Sequence, residues 1–183
     1  MITLYEVNAD IKALEKSIKI MNDTWELFFN KETRLFQKNI IKDNDLFASP
    51  LDLNDSNIPN GNSVYLLISN KLYSITNDKI WSERNEVLKK SFHQVLNSYY
   101  SQMFSFIKTL DICDNSLSFT FHGTSQSIKE MQVYLQKEYL GVATFVYQLN
   151  NDTKPSVIIC KNQTCSNKLT SISEAVEYLS KSD

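Results

Sequence analysis

The sequence predicts a mainly α fold that ends in an α/β tail, and three observations carry that reading. Apolar residues recur at spacings of three and four through the first two-thirds of the chain. Beyond Asp111 the period changes to alternation, with Leu117, Phe119 and Phe121 separated by Ser118 and Thr120. Serine–glutamate capping pairs and single glycines then mark short helices and turns. The expected organisation is a helical segment over 1–113, whose consecutive helix pairs read as a bundle, solenoid or α/α barrel segment, and a small β-α-β-β-α layer over 114–183.

The long first helix follows Asn8 and Asp10, both able to cap a helix start, and its apolar stripe is Ile11, Leu14, Ile18, Met21, Trp25 and Phe28. From Asn30 to Pro59 the pattern breaks into short pieces, Arg34–Gln37 and Leu46–Ser49, between polar turns. This reads as a long ordered loop with a small hairpin, and such loops inside compact domains are more often functional than idle. Helical period resumes at Val64, Leu67, Ile68, Leu72 and Ile75, stops at Thr76-Asn77-Asp78, and returns from Ile80 through Val87, Leu88, Phe92, Val95 and Leu96. Two antiparallel helices joined by a tight turn follow from it, and Met103–Leu110 closes the helical part.

In the tail, Leu117–Phe121 is a strand and Gly123 turns the chain. Ser127 with Glu130 boxes the start of a helix that runs to about Tyr139. Val142–Tyr147 and Val157–Cys160 are further strands, and Ser171 with Glu174 caps a last helix. The first crossover is expected to be parallel and right-handed.

A hydrophobic content of 42% over 183 residues is enough to bury an ordinary core, which excludes disorder as the main state. Nineteen basic against 21 acidic residues give a net charge of -2, so the electropositive surplus of a nucleic-acid binder is missing and no nucleic-acid partner is expected. No window approaches the roughly eighteen unbroken apolar residues of a membrane span. Met1–Asp10 has neither the basic flank nor the apolar run of a secretory signal, and the expectation is a cytoplasmic chain without membrane association. On that expectation the Asn-x-Ser/Thr triplets at Asn22, Asn54, Asn151 and Asn162 are by-products of an Asn-rich sequence.

The most informative segment is Asp55-Ser56-Asn57-Ile58-Pro59-Asn60-Gly61-Asn62-Ser63. Pro59 stiffens it, Gly61 widens the backbone choices, and Asn62 or Ser63 can cap the helix that follows. It reads either as a plain loop-to-helix junction or as a polar rim, with Asp55 and Asn62 facing a cavity beside helix N-terminal amides. Cys160 and Cys165 form a C-x4-C pair that reads as two unpaired thiols, a local disulfide or half a metal site. The odd total of three cysteines fits a reducing compartment. With only Cys113, His93 and His122 left as Cys/His ligands, in no zinc-like spacing, no metal and no other cofactor is expected. A catalytic redox pair is usually C-x-x-C at a helix N-terminus, whereas this pair follows a strand. His122-Gly123 lies where α/β units bind phosphate, but a single glycine is a poor signal, and His93 beside Phe92 reads as packed or surface. Asp52, Asp55, Glu83, Asp111 and Asp114 are plentiful carboxylates whose separations decide any glycosidase chemistry.

Taken together, Asp55...Pro59-Asn60-Gly61-Asn62-Ser63, Leu72...Thr76-Asn77-Asp78 and Cys160-Lys161-Asn162-Gln163-Thr164-Cys165 resemble the C-terminal part of the YyaL-type thioredoxin-domain proteins, the family of the animal spermatogenesis-associated thioredoxin-like protein. That family is similar in a D-x-x-x-P-S-G-N-S junction, an L-x-x-x-T-G-D helix end and a terminal C-x-N-x-T-C, with Asn60 here in place of serine and Asn77 in place of glycine. The likeness runs from about Leu4 to Leu179. It implies a long protein with a thioredoxin-like domain followed by a six-hairpin α/α toroid, as in sugar epimerases and glycosidases, and a small α/β appendage. On that comparison the chain begins midway round the toroid and has neither the thioredoxin-like domain nor the first helices. Asp55, Pro59, Gly61 and Asn62 are then the cavity rim, and Cys160 and Cys165 the terminal thiol pair.

An incomplete toroid leaves an open edge, and each large apolar side chain exposed there forgoes about 1.5–3 kcal/mol. The expected role is therefore a catalytically incomplete segment that assembles with a complementary polypeptide or with itself. The alternative is a carbohydrate-binding or carbohydrate-active protein, with Asp55 and Asn62 bonding sugar hydroxyls and Trp25, Tyr65 or Trp81 stacking on the ring. A third reading is thiol redox work by Cys160 and Cys165.

Overall fold

The computed structural model describes residues 1–40, 50–139, 141–161 and 164–181, so the expected piece at Leu46–Ser49 lies outside the described residues. The chain divides into two compact units, 1–2 with 12–113 and 3–11 with 114–183. No helix among the described residues is long and apolar enough to cross a membrane.

In the first unit, α2 (Ile11–Phe28) leads into a two-stranded antiparallel hairpin, β1 (Phe29–Asn30) and β2 (Leu35–Phe36), with Phe29 opposite Phe36. The Asn30 side chain shapes the turn by accepting the Glu32 and Thr33 amides at 2.8 and 3.0 Å. Helix α3 (Gly61–Thr76) is capped by Asn60, whose Oδ1 accepts the Ser63 amide at 2.9 Å. It ends on Asn77 in the left-handed region at φ 55°, a conformation asparagine tolerates, and Asp78 at once caps α4 (Lys79–Tyr99). A 3-10 turn, Tyr100–Gln102, precedes α5 (Phe104–Asn115). One core joins these elements, with Leu66, Leu72, Trp81, Leu88, Phe92 and Phe106 at its centre and the Phe92 and Phe106 rings stacked 3.5 Å apart.

The expected arc of toroid hairpins is not what these helices form. Among the described residues of this unit, α3 and α4 are the helices that pack closely along their length. Phe36 of β2 forms a triad with Trp25 of α2 and Tyr65 of α3, its ring 5.6 Å from Trp25 and 4.5 Å from Tyr65, with those two rings themselves 5.6 Å apart. Helices α2 and α3 are linked through the β1–β2 hairpin rather than by the short turn of a helical hairpin, and the described helices build no toroid.

The second unit carries a four-stranded sheet in the order β4-β3-β5-β6. Strands β3 (Leu117–Gly123) and β4 (Ala143–Leu149) are parallel, joined through α6 (Ser125–Glu138). Strand β5 (Ser156–Lys161) returns antiparallel to β3, and β6 (Thr164–Cys165) pairs with β5 at the edge. Phe119 and Phe121 alternate inward onto Ile128, Met131 and Leu135 of α6 and Ala175 of α7 (Ile172–Ser180). Thr124 caps α6 by accepting the Ser127 amide, three residues before the expected Ser127 box, while α7 has both bonds of a Ser171–Glu174 capping box.

Helix α1 (Ile2–Asn8), which the periodicity did not announce, has most of its length in this second unit. It covers the open edge of β4: Tyr5 Oη accepts the Tyr147 amide at 3.3 Å and Glu6 Oε1 the Phe145 amide at 3.4 Å. The Tyr147 hydroxyl and Gln132 Nε2 in turn donate to the Glu6 carbonyl, satisfying a helix end that has no intrahelical partner.

Candidate functional site

The D-x-x-x-P-N-G-N-S segment folds as a double capping junction. The Asp52 carboxylate accepts the Gly61 amide at the start of α3 at 2.6 Å, in the place where a side chain on Gly61 would stand. The Asp55 carboxylate performs the same service for α5, accepting the Ser105 amide at 2.7 Å, and it also holds the Asn60 amide at 3.0 Å and Asn60 Nδ2 at 2.9 Å. The Ser105 hydroxyl donates to Asp55 as well. Both carboxylates thus face the positive ends of helix dipoles. Burial on its own pushes the Asp55 carboxyl up, but the bonds from Ser105 and Asn60 together outweigh it and hold the group below the ordinary carboxylate range.

Asn62 is fully buried. Its Oδ1 accepts the Phe36 amide at 2.8 Å, and its Nδ2 donates to the Asp52 carbonyl at 2.6 Å and the Phe36 carbonyl at 3.3 Å. Of the four residues expected at a cavity rim, Asp55 and Asn62 are therefore spent on the fold, while Pro59 and Gly61 do line a groove.

That groove, about 560 Å³, runs between α2 and α3 along the 52–61 segment. Ile20 and Met21 of α2, Val64 and Ile68 of α3, and Ile58 of the loop give it an apolar lining, with Lys38, Asp52 and Asn54 also on its wall. Ile58, Ile20 and Val64 are 71%, 46% and 39% exposed, so three aliphatic side chains open onto one concavity. Sequence reading missed Ile20 because it falls outside the α2 stripe, and that off-stripe aliphatic was the available signal. The aliphatic period that starts at Val64 marks the helix but not its buried face, which is Asn62, Tyr65, Leu66, Ser69 and Leu72.

The aromatics expected to stack on a sugar are engaged elsewhere. Trp25 lies flat on Phe29 at 3.8 Å with the Arg84 guanidinium over its ring at 4.9 Å, and Trp81 is buried. Tyr65 borders the groove but is buried, and its hydroxyl accepts from Arg84 at 3.0 Å. Burial pushes that phenol up to about 12 against the opposing pull of Arg84.

In the second unit, Cys160 and Cys165 are joined as a disulfide across β5 and β6; Asn162 and Gln163 between them lie outside the described residues. Cys113 of the first unit, outside the disulfide, is half-buried against the core. His122 on β3 stands opposite Ser156 on β5, and burial and nearby Lys168 hold its imidazole below the usual range, only partly offset by Asp152. His93 is exposed on α4. Among the described residues no three His, Cys, Asp or Glu side chains gather as a metal site. No family model matches the chain, and no curated protein matches it.

Proposed function

We propose that the chain is a binding module without a reaction of its own, whose helical unit takes up an amphipathic helix of a partner polypeptide in the groove between α2 and α3. The observation that carries the reading is the convergence of exposed Ile20, Ile58 and Val64 on that groove while Asp55 and Asn62 are consumed by helix capping and loop closure. Val64 and Ile68 lie four residues apart on α3, as do Ile20 and Thr24 on α2, so both walls present helical ridges. A third helix packs into such a surface with its own i, i+3, i+4 and i+7 side chains.

The test is the native mass by light scattering after size exclusion, for the chain alone and mixed with an amphipathic helical polypeptide carrying leucines at i, i+3, i+4 and i+7. A 1:1 complex that Val64→Asp abolishes is the expected result; two separate peaks at every mixing ratio refute the reading. A sugar-binding role finds weaker support, because its stacking aromatics are packed, yet Lys38, Asp52 and Asn54 supply hydroxyl partners at the groove. A dose-dependent thermal shift with sugars or sugar phosphates would favour it instead.

A further inference from the structure

The disulfide belongs to the sheet of the second unit. Strands β5 and β6 run antiparallel with Cys160 opposite Cys165, the two Cα atoms 4.0 Å apart and the two residues five apart in sequence. Loop-closure stabilisation grows with the length of chain enclosed, so a bond across so short a loop adds less than one that closes a long loop. Nor does the edge depend on it. The Ser166 amide donates to the Ile159 carbonyl at 2.8 Å, Ser166 Oγ accepts the Ile159 amide at 3.0 Å, and Val157 and Leu169 exchange a pair of backbone bonds, each 2.9 Å. These ties keep the 166–169 segment on β5 whether or not the sulfurs are joined.

Access completes the case. β6 is the last strand of the sheet on that side, Cys165 is exposed, and Cys160 is half-buried. Thiol–disulfide exchange needs a sulfur that an incoming thiolate can reach, and exposed bonds are the labile ones.

We infer that Cys160–Cys165 is an exchange site for low-molecular-weight monothiols of the glutathione class, with the Cys165 sulfur as the atom attacked. The incoming thiolate forms a new S–S bond to Cys165 Sγ, the Cys160–Cys165 bond breaks, and Cys160 leaves as a thiolate that takes up the proton the entering thiol gave up. A second thiol attacks the mixed disulfide at the glutathione sulfur and releases Cys165 as a thiol. Two monothiols are oxidised to their disulfide and the protein disulfide is reduced to two thiols; the reverse sequence recloses it. The site goes beyond the docking role and does not depend on it.

Glutathione itself is the probe. The full chain is equilibrated in buffers of graded reduced-to-oxidised ratio, acid-quenched and alkylated, and its peptides are weighed so that Cys113 is read separately. Expected are reversible passage from disulfide to dithiol, a mixed disulfide on Cys165, and a thermal midpoint that falls by about ten degrees without loss of the fold. Cys160→Ser should take up one glutathionyl group at Cys165 about tenfold faster than Cys165→Ser does at Cys160, as the exposure difference requires. A bond that persists in excess reduced glutathione, thiols that stay open in excess oxidised glutathione, a reversed preference between the single variants, or loss of the fold on reduction would each overturn the inference.

Discussion

The Asp55 carboxylate accepts the backbone amide of Ser105 at 2.7 Å, so one loop side chain caps a helix through a residue fifty positions further along the chain. The same oxygen pair holds Asn60, the cap of α3, and two helix starts thereby hang on one anion. Asp55→Ala should cost about 2–3 kcal/mol, because it strips acceptors from several donors at once. Urea unfolding monitored through the two tryptophans reads the loss.

Acid should weaken the same junction. The folded-state pKa of Asp55 is depressed, so its contribution is fully present above the unfolded carboxylate value of about 3.9 and disappears as pH falls from there through the lower folded value. The stability difference between the parent chain and Asp55→Asn, followed from pH 6 downward, should shrink across that window. A constant difference would mean the carboxylate is not bonded as described.

Asn62→Ala should be more damaging than its polar character suggests, at about 3 kcal/mol, since the Phe36 amide and the Asp52 carbonyl lose their bonds to a buried partner. Asn62→Asp should not restore stability, because a carboxylate cannot donate to the two carbonyls. Paired denaturant curves for the two variants check both statements.

These polar positions explain what the sequence concealed. Helix α2 was legible from its aliphatic period, and the α3–α4 turn at Asn77-Asp78 because period and capping chemistry agree there. On α3 the helix was legible but its buried face was not: Asn62 and Ser69 face inward, Ser69 bonding Asn85 of α4, and a count of aliphatics turns the helix toward Val64 instead. Helix α1 was too short to announce itself by period, and its role appears only where Tyr5 and Glu6 meet the edge of β4. The toroid expectation came from likeness together with the run of consecutive helix pairs, and neither signal could show that Phe36 joins Trp25 and Tyr65 in one aromatic triad.

Tyr5→Phe should leave the Tyr147 amide without its acceptor while keeping the ring contact, 5.6 Å between centroids. The expected cost is about 1 kcal/mol. Hydrogen exchange should quicken at Tyr147 and leave the central strand β3 protected; uniform quickening through the sheet would instead mean that α1 supports the whole unit.

Val64→Asp should separate binding from folding. Its side chain is 39% exposed, so stability should shift by no more than about 1 kcal/mol, and thermal melting reads it. A charge in the groove should nevertheless remove fluorescence enhancement of an apolar dye that the parent chain supports.

The docking groove is tested most directly by methyl NMR of the isoleucine- and valine-labelled chain during titration with an amphipathic helical peptide carrying leucines at i, i+3, i+4 and i+7. Saturable shifts at Ile20, Ile58, Val64 and Ile68, with Val157 and Ile159 of β5 unmoved, are the predicted result. Shifts confined to other methyls, or none at all at saturating peptide, would contradict it.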